Sequence, residues 1–305
     1  MNTARLLVHY PAVPPGFSYG RGIGIAFLDT GIFLHRDFIF PDNRILMFKD
    51  FIEHKSSPYD DNGHGTHICG IACGNGSASK GRYAGIAPKS HLIVGKVLDK
   101  KGNGSIENVA EGISWILKNA RRYNIRILNI SIGAQDGVQK AQSLELIHSV
   151  ETAWDFGLVV VVAAGNNGPK PMSVTAPGIS PKVITVGASD DDELIDNSHG
   201  QHYSHYSGRG PLSSTIIKPD LVAPGSNILS CCHKKSYGQY SYTSRSGTSM
   251  ATPMVSGAAA LLLGMYPKLT NTQVKYRLQH TCTNLGFPPN RQGYGQLDIA
   301  RLLYG

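Results

Sequence analysis

The chain has 305 residues, a length that fits one large domain with a well-buried core or two smaller domains. Hydrophobic residues make up 41% and charged residues 16%, and no apolar run reaches the ~20 residues of a membrane span, so we expect no membrane contact. The net charge is +8, but the Lys and Arg residues are scattered and no nucleic-acid-binding module is present. We therefore expect a generally basic surface and no nucleic-acid partner.

The cysteines and the first residues bear on the cellular compartment. Five cysteines are an odd number in a large domain, which favours reduced thiols over a disulfide framework. The first residues contain one short apolar patch and no signal-peptide core. We expect a cytoplasmic location, and export by another route stays open.

Apolar runs alternate with segments of helical spacing along most of the chain. The runs predict buried strands, and the spaced apolar residues between them predict helices. Residues 189–248 are rich in Ser, Gly, Tyr and His and predict short strands and loops. The predicted strands are 23–28, 91–98, 125–132, 158–162 and 183–186, and the predicted helices are 68–73, 106–116, 144–155, one from Ser249 and one from near Asn271.

This alternation predicts an α/β fold with a mainly parallel central sheet covered by helices on both faces. We find no internal repeat and no linker, so we expect a leader or arm over residues 1–20 and one domain over residues 21–305. Ligands of such sheets bind beyond the carboxyl ends of the strands. Asp29, Ser131 and Asn166 follow predicted strands at such ends.

Ser249 stands where a loop becomes a helix that is apolar or small on every face, a pattern typical of a fully buried helix. We place Pro253 in the first turn of this helix, where a missing N–H costs little. The start of a helix offers free N–H groups and favours negative charge. On this stretch alone, a helix cap and a reactive hydroxyl are equally good interpretations.

The rest of the chain supplies partners for a reactive serine. A serine hydroxyl needs a base to take its proton, a carboxylate to orient that base, and donors for the oxyanion of the intermediate. The chain offers Asp29, His64 and Ser249 in that order, which matches the subtilisin order. No Gly-x-Ser-x-Gly motif is present, which argues against an α/β-hydrolase.

Four separated motifs resemble the subtilisin family (subtilases) of serine proteases, and most closely its intracellular and AprX-like bacterial members. The resemblance runs from about Arg21 to the end of the chain. The motifs are Asp29-Thr30-Gly31, His64-Gly65-Thr66-His67, Ala163-Ala164-Gly165-Asn166 and Gly247-Thr248-Ser249-Met250-Ala251-Thr252-Pro253.

The resemblance implies a role for each matching residue. Ser249 would be the nucleophile, His64 the general base and then the general acid, and Asp29 its orienting carboxylate. Asn166 would donate to the oxyanion beside the Ser249 N–H. A polypeptide substrate would bind two uncharged segments that match the family's binding edges; their residues are Gly102, Asn103, Gly104, Ser131, Ile132 and Gly133.

Specificity should then be broad, because main-chain contacts dominate at such edges. Thr175 matches the residue at the base of the family's primary specificity pocket, and Asn167 nearby is neutral. We expect a preference for medium apolar or uncharged side chains and no requirement for Lys or Arg. The Ala176–Pro177 bond matches a position where relatives have a cis peptide.

The resemblance also suggests structural calcium and no organic cofactor. Asp37 matches one calcium ligand of the family, but the loop 74–82 departs from the secreted enzymes and contains no carboxylate, which puts the main site in doubt. His199, His202 and His205 recur at three-residue spacing without an interleaved carboxylate or Cys, so a solvated loop is favoured over a metal site.

Two further features have competing interpretations. Cys69 and Cys73 lie one helical turn apart just after His64, where a packing role is favoured over a regulatory thiol. The leader faintly resembles the short inhibitory leader of intracellular relatives, so we hypothesise that residues 1–16 block the cleft until they are clipped.

The predicted function is a serine endopeptidase that forms an acyl-enzyme. One alternative is a catalytically silent subtilase scaffold that binds peptides, against which the complete set of catalytic residues argues. The other is a serine esterase, against which the main-chain-binding edges argue.

Overall fold

A parallel sheet of seven strands forms the centre of the computed structural model, which describes residues 1–12, 14, 16–133, 140–193, 195–196 and 202–305. The strands are β1 Gly24–Asp29, β2 Ile45–Asp50, β3 His91–Lys96, β4 Ile125–Ile130, β5 Val159–Ala163, β6 Ile184–Ala188, β7 Ile195–Asp196, β8 His202–Tyr203, β9 Leu221–Ala223, β10 Ile228–Ser236 and β11 Gln239–Arg245. The order in the sheet is β2-β3-β1-β4-β5-β6-β9, and every neighbouring pair is parallel. β10 and β11 form a separate antiparallel hairpin, and β7 pairs with β8.

The helices lie in two layers, with the sheet between them. They are α1 Asn2–Leu7, α2 Arg36–Ile39, α3 His64–Cys73, α4 Ile106–Asn119, α5 Lys140–Asp155, α6 Thr248–Met265, α7 Asn271–His280, α8 Pro289–Gln292 and α9 Ile299–Tyr304, with a 3₁₀ turn at Ser77–Ser79. α3 packs against α6 on one side, and α4 packs against α5 on the other. This architecture confirms the predicted α/β fold.

The strands of the sheet interior form from segments that are rich in apolar residues. All residues of β1 and β5 are buried, as expected for strands covered on both faces. The edge strand β2 was not predicted, although it begins with the short apolar run 45–48; its residues before Asp50 are partly buried or exposed, as expected at the edge of a sheet.

Helix α4 shows why the helical predictions succeeded. Its buried residues include Val109, Ile113 and Ile116, which recur at helical spacing, so one face packs on the core. The Ser105 hydroxyl accepts the Asn108 N–H at 3.1 Å and caps the first turn.

Helix α6 is buried continuously from Met250 to Leu263 and crosses the centre of the core. It is long and apolar enough to cross a membrane, with 18 residues and a mean hydropathy of 1.3, but 83% of it is buried inside the fold, which makes it a core helix. The prediction for Pro253 was wrong: because the helix begins at Thr248, Pro253 is its sixth residue and lies beyond the first turn. The i−4 acceptor for a sixth residue is Ser249, whose carbonyl therefore has no N–H donor at that position.

The predicted leader packs against the body of the protein. Ala4 and Val8 are buried in the same hydrophobic core as the sheet. The Val8 carbonyl accepts the Ile299 N–H at 2.9 Å, and the Leu7 carbonyl accepts the Gln296 amide at 2.8 Å. This segment therefore lies beside the C-terminal helix α9.

Candidate active site

Asp29 is the last residue of β1, and its carboxylate is buried at the carboxyl end of the sheet. Oδ1 accepts the Thr30 N–H at 2.7 Å and lies 2.7 Å from His64 Nδ1. Because a carboxylate only accepts hydrogen bonds, this contact places the imidazole proton on Nδ1. His64 Nε2 therefore keeps its lone pair available as a base.

Asp60, for which no role was predicted, holds His64 in this position. Its carboxylate accepts the Thr30 hydroxyl at 2.9 Å, the Gly63 N–H at 2.7 Å and the Thr66 N–H at 2.9 Å. These bonds tie the residue after β1 to the first turn of α3. Two effects act on the pKa of Asp60 in opposite directions: burial raises it, and the hydrogen bonds that the carboxylate accepts lower it. The hydrogen bonds outweigh burial, so the net pKa is below its ordinary value and the carboxylate is ionised.

Ser249 is the second residue of α6, where the first N–H groups have no acceptor within the helix. Its hydroxyl donates to the Ser131 carbonyl at 2.8 Å. Asn166 lies on the other side of the helix start, and its Oδ1 accepts the Thr248 N–H and hydroxyl, each at 3.0 Å. Since Oδ1 is engaged in this way, the amide nitrogen of Asn166 is the end left to act as a donor.

These groups share a cavity of about 700 Å³ with the predicted substrate-binding residues. His64, Asn166 and Ser249 line it, and Asp29 lies behind His64. All seven predicted binding residues line the same cavity: Gly102, Asn103, Gly104, Ser131, Ile132, Gly133 and Thr175. The structure therefore brings together residues that lie up to 220 positions apart (29 to 249) in the sequence.

Thr175 lines this cavity and lies next to two glycines, Gly133 and Gly165. A Cβ added to Gly133 or Gly165 would lie 2.5 Å from Thr175 Oγ1, so only glycine fits at either position. The Thr175 hydroxyl is buried and has no hydrogen-bond partner among the described residues. The Ala176–Pro177 bond that follows is cis, as the resemblance implied.

Lys96 contacts three segments at the edge of the site, a role that was not predicted from the sequence. Its ammonium is buried and donates to the Thr30 carbonyl at 2.8 Å, the Leu98 carbonyl at 2.7 Å and the Asp61 carboxylate at 2.8 Å. The apolar run in which Lys96 lies gave no sign of this role, because only the fold brings its acceptors together.

The residues around Asp37 do not fit a calcium ion. Its buried carboxylate accepts the Ala78 N–H at 2.8 Å and the Tyr242 hydroxyl at 2.9 Å, and Cys231 Sγ lies 3.6 Å from Oδ2. Calcium takes six to eight oxygen ligands, whereas these neighbours are donors and a thiol. The Asp37 carboxylate is satisfied by the protein itself.

Two carboxylates and an imidazole elsewhere in the chain could hold a metal ion. Asp191, Asp192 and His205 each offer one ligand atom within 4.8 Å of the others. The guanidinium of Arg291 already contacts Asp191 at 2.9 Å and Asp192 at 2.7 Å. His199 and the side chain of His202 lie outside the described part of the chain.

Cys69 and Cys73 lie on the buried side of α3. Burial raises the pKa of the Cys69 thiol far above its ordinary range and that of Cys73 to about 12. Both thiols are therefore protonated and shielded from solvent, which favours the packing role over a regulatory one.

The leader does not reach the cavity in this structure. None of the described residues among 1–20 lines the cavity. The imidazole of His9 instead contacts the Asp298 carboxylate at 2.8 Å, beside the start of α9.

Known proteins that are similar in sequence agree with the motifs found above. Residues 20–295 match the Subtilase family model (peptidase S8). The chain is 41% identical over 279 residues to serine protease AprX of Bacillus subtilis (strain 168), covering 86% of this chain and 61% of AprX. It is 40% identical over 271 residues to a thermostable alkaline protease of Halalkalibacterium halodurans, covering 88% of this chain and 64% of that protein. The chain thus spans less than two thirds of the length of these two relatives.

Solved structures of similar fold include Sphericase, with a TM-score of 0.75, 30% identity and 92% of each chain covered. The CspB protease of Clostridium perfringens has a TM-score of 0.81 at 21% identity, over 99% of this chain and 97% of the other, a likeness of fold. The family match covers most of the chain and includes all four motifs and the cavity they line. The chain therefore belongs to the subtilase family.

Proposed function

We propose that this chain is a serine endopeptidase of broad specificity that hydrolyses peptide bonds through an acyl-enzyme. The observation that carries the proposal is the shared cavity, in which the Asp29–His64 hydrogen bond, the Ser249 hydroxyl and the Asn166 amide meet. Ser249 attacks the scissile carbonyl while His64 Nε2 takes its proton. His64 then returns a proton to the leaving amine, and Asp29 stabilises the imidazolium.

The oxyanion of the tetrahedral intermediate needs donors that are already in place. Asn166 supplies its amide N–H, because its Oδ1 is held by Thr248. The Ser249 N–H is the second donor, at the positive end of the α6 dipole. Together these donors stabilise the charge that develops beside the nucleophile.

The nucleophile must turn before the reaction. The Ser249 hydroxyl donates to the Ser131 carbonyl in the free chain, so rotation about its Cα–Cβ bond has to bring it to His64. Catalytic hydrogen bonds commonly tighten only when substrate is bound. This contact is therefore compatible with catalysis.

The uncharged segments 102–104 and 131–133 suit an extended peptide that adds as a strand. Side-chain selectivity at the residue before the scissile bond then depends on the Thr175 pocket. We expect medium apolar or uncharged side chains to be preferred, and a strong rate advantage of Arg over Leu in a peptide panel would contradict this.

The test is a fluorophosphonate probe with peptide mapping, applied to the wild type and to Ser249→Ala, together with digestion of casein. The proposal expects a label on Ser249, cleavage of casein by the wild type, and neither in the variant. An unlabelled wild type would support the silent scaffold, and a labelled wild type that cleaves esters but not peptides would support an esterase.

Subtilases commonly bind calcium, and we infer that any structural calcium in this chain binds away from Asp37. The support is the donor set around Asp37, which leaves no carboxylate oxygen free. A rise in the unfolding temperature with calcium that persists in Asp37→Asn would agree with this inference. Loss of the calcium effect in that variant would contradict it.

Self-inhibition by residues 1–16 stays a prediction and requires this segment to leave its position beside α9. If deletion to Gly16 leaves activity unchanged and no N-terminal trimming occurs, the prediction is wrong.

A cytoplasmic site of action also stays a proposal. It is supported by the five cysteines, all of which are free thiols. Fractionation of the source cells with an antibody against this chain tests it, and accumulation in the medium would contradict it.

A further inference from the structure

The charged side chains that line the active-site cavity are all positive. Lys101 and Arg245 carry full charges there, and the described lining residues include no Asp or Glu. The two predicted substrate-binding segments, residues 102–104 and 131–133, carry no charge themselves. The charge comes from their neighbours.

Arg245 is the last residue of β11, four positions before Ser249. Its Nη2 donates to the Asn62 carbonyl at 3.2 Å, which places the guanidinium beside the loop that leads to His64. Among the described residues, no carboxylate forms an ion pair with Arg245. The two nearest acidic side chains of that loop are already engaged, Asp60 with Thr30 and Thr66 and Asp61 with Lys96.

The position of Arg245 relative to the catalytic groups indicates the part of a substrate that it meets. His64 delivers a proton to the leaving amine, so its free side faces the residues that follow the scissile bond. Arg245 lies beside Asn62, two positions before His64, and we place it on this side of the imidazole. Asn166 and Thr175 belong to the pocket that receives the residue before the scissile bond.

Lys101 lies beside one of the two substrate-binding edges, and Asn62, which accepts from Arg245, also donates to the Lys100 carbonyl at 3.2 Å. Lys101 directly precedes Gly102, the first residue of that edge, and its side chain is exposed. The nearby Asp99 carboxylate accepts the backbone N–H of Lys101 at 2.8 Å and also attracts the Lys101 ammonium, but Asp99 does not line the cavity. Because this partner partly offsets its charge, Lys101 should act more weakly than Arg245.

We propose that this protease selects peptides with acidic side chains around the scissile bond, with Arg245 binding an Asp or Glu that follows it. This rests on the proposed endopeptidase function and gives that function a substrate class. A guanidinium with free N–H groups matches a carboxylate through two parallel hydrogen bonds. Lys101, which directly precedes a binding edge, favours an acidic residue before the scissile bond by charge alone, and both cations repel basic side chains.

The experiment uses internally quenched peptides with Leu before the scissile bond and Glu, Gln or Lys at one position after it. At low salt, the wild type should cleave in the order Glu, Gln, Lys, with kcat/KM for Glu about tenfold that for Lys. Arg245→Gln should bring this ratio close to one, and Arg245→Glu should invert it. High salt should reduce the wild-type ratio, because screening weakens exposed ion pairs.

Two control variants test whether the location of the charge matters. Arg121→Gln removes the same charge from an exposed position outside the cavity, so it should keep the wild-type ratio. Lys101→Gln should keep the ratio for positions after the scissile bond and reduce it in a second peptide series that varies the positions before it.

The outcomes separate this inference from the proposed function. Equal cleavage of the Glu and Lys peptides by an active wild type would overturn the inference and leave the endopeptidase intact. A preference for Glu that survives in Arg245→Gln would overturn the assignment to Arg245. A wild type that cleaves no peptide and takes no fluorophosphonate label would overturn both.

Discussion

The Asn166 side chain is oriented by Thr248, the residue directly before the candidate nucleophile. Asn166 Oδ1 accepts both the N–H and the hydroxyl of Thr248 at 3.0 Å. A Cβ on Gly247 would lie 3.3 Å from Asn166 Nδ2, so this glycine leaves the amide nitrogen unobstructed. The first turn of α6 therefore carries Ser249 and also positions the side chain that would stabilise its oxyanion.

Asn166→Ala should lower kcat by roughly 10²–10³-fold with little change in KM, because the lost N–H acts on the oxyanion and not on bound substrate. This magnitude comes from a subtilisin. Thr248→Val removes one of the two bonds to Oδ1 and should give a smaller loss of kcat. In the double variant the Thr248 effect should disappear; additive effects in steady-state kinetics would contradict the positioning role.

Asp29→Asn should lower kcat on the order of 10⁴-fold, a magnitude also known from a subtilisin and from other serine proteases. An amide at this position can donate to Nδ1, which moves the imidazole proton to Nε2 and removes the base. The fluorophosphonate reaction should slow in parallel with peptide cleavage. Circular dichroism of the variant is the control for folding, and retained activity in a folded variant would contradict the role of Asp29.

Thr175→Gly should open the specificity pocket towards larger side chains. The ratio of kcat/KM for Phe over Ala before the scissile bond should rise on the order of tenfold, because the threonine methyl and hydroxyl no longer fill the space beside Gly133 and Gly165. Peptides that differ only at this position give the measurement.

Thr175→Val is the matched control, since it keeps the volume and removes the hydroxyl. It should keep the size preference of the wild type. Because the hydroxyl is buried and has no partner among the residues that the structure describes, Thr175→Val should also raise the free energy of unfolding by about 1 kcal/mol. A decrease would indicate that the hydroxyl has a partner in solution.

His67 should make the fold sensitive to acid. Burial above all, followed by the nearby charges of Arg245 and His64, lowers the pKa of His67 to about 3. Its Nε2 lies 2.9 Å from the Ile228 carbonyl and 3.1 Å from the Thr243 carbonyl, so a neutral ring that donates from Nε2 satisfies both acceptors.

The unfolded chain binds a proton at His67 below about pH 6.5, and the folded chain binds it only near pH 3. The stability due to neutral His67 is fully present above pH 6.5 and is lost as the pH falls towards 3. In a Ser249→Ala background that prevents self-digestion, urea unfolding at several pH values should show this loss. His67→Gln should make the dependence shallower by up to about 1.4 kcal/mol per pH unit.

The exposed His148 provides the control for this prediction. His148→Gln should keep the pH dependence of the parent, because this side chain is exposed and does not hold the core together. An unchanged slope in His67→Gln would contradict the assignment of the effect to His67.

The sequence predicted the features that depend on apolar patterns and on family motifs. The strand that ends at Asp29 and those that precede Ser131 and Asn166 are rich in apolar residues, so their carboxyl ends and the position of the cavity could be predicted. The start of α6 was predicted to within one residue, at Ser249 instead of Thr248.

Features that depend on distant polar partners could not be predicted. Asp60 and Lys96 hold the site through bonds to Thr30 and Thr66 that exist only in the folded chain. Asp60 and Asp61 can both be seen before His64 in the sequence. The sequence of this polar loop does not indicate which of the two carboxylates points into the protein. Asp37 was matched to a calcium ligand because its position in the sequence fits the family. In the fold its carboxylate instead accepts the hydroxyl of Tyr242, which lies 205 positions away in the sequence.

The burial of α6 also affects the resistance of this chain to digestion by other copies of itself. A chain is cut where it opens, and a helix enclosed on all sides opens only when the whole domain unfolds. Self-digestion within this helix would therefore follow the global stability of the domain. Early cuts should fall on exposed segments such as the turn between β10 and β11, where Tyr237 is fully exposed, and leave the nucleophile and its helix intact.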